Sequence, residues 1–78
     1  MKRRIRRGRA AGGVSRFALL RARSEGAAIF DASRSKVYRP DVRGWQSAEV
    51  HADGSLGSWG WGDPISGEPI DRALRRAA

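Results

Sequence analysis

The chain has 78 residues, a net charge of +8 and no cysteine. That length supports one small domain, and the missing thiols exclude a disulfide framework, a thiolate metal site and a cysteine nucleophile. No apolar run reaches the length of a membrane span, so no membrane partner is expected.

Of the apolar residues twelve are Ala and only nineteen are larger, with Met1 and Ile5 isolated among arginines. A core of this size supplies about 3–5 kcal/mol, which makes a homo-oligomer one expected way of burying more surface.

Charge is unevenly distributed. Lys2, Arg3, Arg4, Arg6, Arg7 and Arg9 place six positive charges in the first nine residues with no acid among them. Residues 16–43 carry seven bases and three acids, whereas residues 44–71 carry five acids and neither Lys nor Arg. A GC-rich coding sequence enriches arginine, but it would scatter arginines rather than leave a 28-residue window without one. The clustering therefore points to contact with a polyanion.

In chain order, residues 1–13 offer two large apolar side chains and end in Gly12-Gly13, so a disordered basic arm is expected. Within it Arg7-Gly8-Arg9 resembles the core of an AT-hook, which would imply arginines lying along a minor groove. Arg6 and Ala10 stand where that element has prolines. A targeting role fits less well, since the Phe17–Leu20 apolar run is short for a signal peptide and hydroxyl residues are scarce for a transit peptide. A cytoplasmic setting, bacterial or phage-encoded, is expected.

The domain proper then spans residues 14–78. Residues 16–23 contain good helix formers, but Arg16 at their start and Glu25 at their end oppose a helix dipole. Arg23-Ser24-Glu25-Gly26 also suggests a tight turn. A hairpin is expected, pairing 16–23 with 27–30 and putting Phe17 and Leu19 on one face. Asp31–Ser35 reads as a turn, and Lys36–Tyr38 as a short strand ended or confined to an edge by Pro40. Residues 45–50 and 55–61 flank His51-Ala52-Asp53-Gly54, a strong hairpin signal. Pro69, Asp71 and the terminal arginines predict a short C-terminal helix, with Ile70 and Leu74 packed onto the sheet. The fold class expected is α+β: an antiparallel meander of four to five strands, one short C-terminal helix and the basic arm.

Little points to catalysis. His51 falls in a turn, no nucleophile with a base and an orienting acid is recognisable, and no metal or phosphate-loop signature occurs, so neither enzyme activity nor a cofactor is expected. The expected function is non-catalytic binding of DNA or RNA with low sequence specificity. The arm cations Lys2, Arg3, Arg4, Arg6, Arg7 and Arg9 would neutralise phosphates. Arg21, Arg23, Arg34, Lys36, Arg39 and Arg43 would extend the basic surface if they share a face. Tyr38, between Lys36 and Arg39, is the expected base-stacking residue. The alternative is a protein-interaction module, such as a small inhibitor or assembly subunit, holding a protein partner through the acidic half and its Trp45, Trp59 and Trp61. Where Trp59 and Trp61 point separates the two.

Overall fold

The computed structural model describes residues 14–77, and the basic arm lies outside them. The element order is α1 (Arg16–Ser24), β1 (Ile29–Asp31), β2 (Lys36–Asp41), β3 (Gly44–Glu49), β4 (Gly60–Trp61), β5 (Glu68–Pro69) and α2 (Ile70–Arg76). All strands join one antiparallel sheet in the order β4-β3-β2-β1-β5. The protein is α+β, with a helix at each end of the described chain.

The first helix corrects the expected hairpin. Ser15 caps it, its hydroxyl accepting from the Ala18 amide at 3.2 Å. Arg21 and Arg23 fall in the last turn, where the dipole favours them. Gly26, at φ +103°, ends it in a Schellman motif: Gly26 N–H donates to Arg23 O and Ala27 N–H to Ala22 O. The segment that resembles a tight turn is thus a helix C-cap. Residues 29–31 pair with β2 and β5 instead of with 16–23.

Strand β2 runs through Pro40 to Asp41. Ala28 N–H donates to Tyr38 O, so Tyr38 turns its peptide groups toward β1. Pro40, two residues on, faces the same side where β1 supplies no partner, and its missing N–H costs no ladder bond there. The expected hairpin around Asp53-Gly54 is present, with Val50 bridging Leu56 and Gln46 and Ser47 pairing with Trp61 and Gly60. The C-terminal helix also forms as expected, with Ile70, Ala73 and Leu74 buried.

Both helices cover one face of the sheet. Phe30, Val37 and Ala48 are register partners across β1, β2 and β3, and they meet Ala18, Leu19, Ala22, Ile70, Ala73 and Leu74 in one core. Ala18, Ala22 and Ala73 are fully buried, so small side chains let the helices sit close to the sheet.

The other face is closed by a single strap. Strands β4 and β5 occupy opposite edges, so residues 62–67 cross the sheet from one edge to the other, bending at Ile65 and Ser66 on the way. A Cβ at Gly62 would lie 2.8 Å from Ser47 Oγ, and one at Gly67 2.7 Å from Ile29 Cγ2. Ser47, Tyr38 and Ile29 form one row across the sheet, so the strap passes over Tyr38, leaving it 3 % exposed. Gly67, at φ +134°, is needed twice over, for its backbone conformation and for this close approach.

The strap is fastened by buried Asp31. Its carboxylate accepts from Ser33 N, Ser33 Oγ and Ser66 Oγ, and Arg34 lies 3.5 Å away. Beyond it, Glu68 of β5 takes a bidentate bond from Arg76 of α2. The Ser33 hydroxyl, with Ser66 and two backbone amides, holds Asp31 below its ordinary pKa of 3.8, against the opposing effect of burial. Arg76 does the same for Glu68 below 4.5.

A carboxylate lowered on folding stabilises the fold above its unfolded pKa and loses that contribution as pH falls through its folded value. Thermal midpoints followed by circular dichroism are therefore expected to be level from neutral pH to about pH 5 and to fall below about pH 4.5. Asp31→Asn should lower the neutral midpoint and flatten the acid decline. An unchanged acid limb in that variant would refute the role given to Asp31.

Candidate nucleic-acid interface

The basic residues expected to form one surface are sorted by the fold into separate environments. Phe30 and Val37 define the helix-covered face, so Lys36 and Tyr38, one residue out of phase, lie on the strap face. Tyr38 is buried there and presents no ring face to a base, which corrects its expected stacking role. Arg34, in the β1–β2 turn, is paired with Asp31.

Arg39 is also corrected, from a phosphate contact to a structural residue. Its Nε donates to Gln46 Oε1 at 2.8 Å and its Nη1 to the carbonyl of Glu25 at 2.9 Å. Its guanidinium lies 4.2 Å from the centre of the Trp59 ring. Trp59 Nε1 donates to Glu25 Oε1 at 2.9 Å. The C-cap of α1, strands β2 and β3 and the approach to β4 therefore meet at one cation–π stack.

The tryptophans divide accordingly. Trp59 packs against the core and is half-buried. Trp61 is 59 % exposed, with the Arg43 guanidinium 5.8 Å from its ring centre. Trp45 is half-buried and lines a shallow cleft with Arg43, Trp61, Gly62 and Asp63. Val42, at the adjoining β2–β3 turn, is 99 % exposed.

Arg21 and Arg23 are both exposed on α1, but, two residues apart on a helix, they point about 200° from one another, Arg21 beside Phe17 and Arg23 toward Asp71 of α2. The two helices carry Arg16, Arg21, Arg23, Arg72, Arg75 and Arg76, all exposed. Arg21 pairs with Glu25, Arg23 with Asp71 and Arg76 with Glu68. Exposed pairs of this kind contribute little to stability and leave much of the field in place. Among the described residues Arg16, Arg72 and Arg75 have no acidic partner within salt-bridge distance. Arg16 and Arg75 line a shallow cleft between the helices with Leu20, Arg23, Asp71 and Leu74.

Of the helix arginines, Arg21 and Arg23 are among the residues expected from the sequence, whereas Arg16, Arg72, Arg75 and Arg76 are missed because a strand over 16–23 offers no helix pair and the last arginines serve there only as dipole partners. The arm residues Lys2, Arg3, Arg4, Arg6, Arg7 and Arg9 lie outside the described residues, but the chain after them enters the domain at buried Val14, directly before α1. Among the described residues no cluster of three or more His, Asp or Glu is placed to hold a metal, and no helix is long and apolar enough to cross a membrane. His51 is exposed in its turn. No protein-family model matches the chain, and no curated protein or solved structure matches it.

The two classes of arginine should separate by experiment. Arg39→Met keeps the stem but removes the charge, the stack and two hydrogen bonds, at a cost of about 2 kcal/mol. That corresponds to a fall in Tm on the order of 10 °C by circular dichroism. Replacing Arg16, Arg72 and Arg75 together with Gln should leave Tm nearly unchanged. The reverse pattern would show that Arg39 is a surface cation and that the helix arginines hold the fold.

Proposed function

We propose that this protein binds nucleic acid without catalysing a reaction on it, using phosphate contacts from its N-terminal arm and from the outer side of the helix pair. One observation carries the reading: α1 and α2 carry six exposed arginines, and a segment with six more positive charges precedes Val14, directly before α1. Guanidinium groups suit phosphate because they offer several donors in one plane and keep their charge at any physiological pH. Contacts of this kind position a protein on a strand without reading its sequence, so low specificity follows.

Counterion release gives the reading a magnitude. Five phosphate contacts from the six arm cations on duplex DNA correspond to a log–log salt slope of about −4.5, a loss of a few hundredfold in affinity between about 50 and 200 mM salt. Arg16, Arg72 and Arg75 would add up to about −2.7. Binding is to be measured over a salt series with the full chain, a chain lacking residues 2–9 and the triple Gln variant. Truncation should remove most of the slope and the triple variant part of the rest. Binding that is undetectable near physiological salt, or a slope that neither change alters, would refute the proposal.

A second reading, a protein-interaction module, is favoured by the exposure of Val42 and Trp61 at the far end of the sheet beside Asp63. Trp59, pinned by Glu25 and Arg39, does not contribute to it. If it holds, the immobilised chain should retain from a nuclease-treated extract a protein that the Val42→Ser/Trp61→Ser variant does not. Equal retention by both would remove this reading.

A further inference from the structure

Phe17 stands apart from the other aromatic residues. It is 67 % exposed on α1, on the arginine-bearing layer, while its helix neighbours Ala18 and Leu19 are fully buried. Arg16 precedes it, and Arg21 follows one helical turn later, where residues at i and i+4 lie about 6 Å apart. Leu20, 41 % exposed, continues the apolar surface beside it.

The ring is also seated. One edge of it faces Gly54, buried at φ +91° in the turn of the β3–β4 hairpin, where a Cβ would be in ordinary contact, 3.5 Å from Phe17 Cδ2. The nearby acid, Asp53, turns its carboxylate onto Ser55 N and Ser55 Oγ at 3.0 and 2.6 Å. The other aromatic candidates are less suited. Tyr38 is covered, Trp59 is held by Glu25 and Arg39, and Trp61 has Arg43 against its ring and Asp63 beside it.

We propose that Phe17 is a base-stacking platform, with Arg16 and Arg21 on the flanking phosphates, and that the protein therefore prefers single-stranded to duplex nucleic acid. The inference rests on the nucleic-acid reading above and makes it specific. A base within a duplex is already stacked on both sides, whereas an unpaired base has a free face to lay on the ring. Stacking of this kind tolerates any base, so it adds strand-type selectivity without sequence selectivity.

The test is fluorescence anisotropy of labelled oligo(dT), oligo(rU) and a duplex of equal length, at about 100 mM salt and along a salt series. The full chain is compared with Phe17→Ala, Phe17→Leu and Phe17→Trp. The Ala variant should lose about 5- to 100-fold in affinity for single strands with its salt slope unchanged, and less than about 2-fold for the duplex. Leu, apolar but without a π face, should remain weak, and Trp should restore or exceed the parent affinity.

Full affinity in the Leu variant, or equal losses on single strands and duplex, would overturn the stacking role while leaving the phosphate-binding reading standing. Light scattering that shows a dimer converted to monomer by Phe17→Ala would overturn it in favour of a self-association surface. Failure of the full chain to bind any of the three probes would remove both readings together. Because Phe17 is exposed, all variants should keep the parent Tm within a few degrees, and circular dichroism checks this.

Discussion

The stack of the Arg39 guanidinium on Trp59 fixes how the helix layer meets the sheet. Arg39 lies on the helix-covered face of β2, and its second hydrogen bond reaches the carbonyl of Glu25, the C-cap of α1. The Glu25 carboxylate in turn accepts from Trp59 and lies 3.6 Å from Arg21, so the half-buried cation is held by a backbone carbonyl, the Gln46 amide and an aromatic face. With the helix end anchored there, the helix runs back along the sheet and its first turn comes to rest against the Gly54 turn. The orientation of α1 follows from that contact.

The rest of the architecture answers a shortage of apolar bulk. Three side chains, Phe30, Leu19 and Val37, are the largest that are fully buried, and alanines complete the interfaces around them. A core so small does not extend to both faces of a five-stranded sheet. The second face is closed instead by a strap of irregular backbone, seated through two glycines and fastened to one buried carboxylate. The strap also fixes the strand order, because it joins the two edge strands and lets β5 run directly into α2. Polar bonds at Asp31 and Glu68 then supply restraint that a larger protein would draw from packing.

What the sequence made legible were features with local causes. Asp53-Gly54 dictates its hairpin, and Pro69, Asp71, Arg75 and Arg76 dictate α2, because each acts within a few residues of itself. The first helix was obscured by an ambiguity that is also local: Arg23-Ser24-Glu25-Gly26 suits a tight turn and a Schellman cap alike, and only Ser15 and its bond to Ala18 tip the balance. That ambiguity reached the site. As a strand, residues 17 and 19 share a face; as a helix they are about 200° apart. Leu19 is consequently fully buried and Phe17 largely exposed. Tyr38 and Arg39 were illegible for a different reason, since the strap over one and the indole beneath the other come from residues 62–67 and 59, some twenty or more positions along the chain.

The resulting surface has two ends of different chemistry. Arginines, an exposed phenylalanine and the entry of the arm lie on the helix side, while Val42, Trp61, Arg43 and Asp63 gather at the β2–β3 turn and the adjoining sheet edge. On the nucleic-acid reading, the helix side is poorly equipped to read base identity. Adenine is read by bidentate Asn or Gln, but the chain has no Asn and its single Gln, Gln46, is committed to Arg39. What remains exposed on α1 and α2 is mainly arginine, which engages phosphate as readily as guanine, and one aromatic ring, which accepts every base. Such a composition selects for charge density and strand flexibility rather than for sequence. On the same reading the Trp61 end, which carries Arg43, stands apart from the helix arginines, so a nucleic acid held on the helix side does not exclude a second partner there.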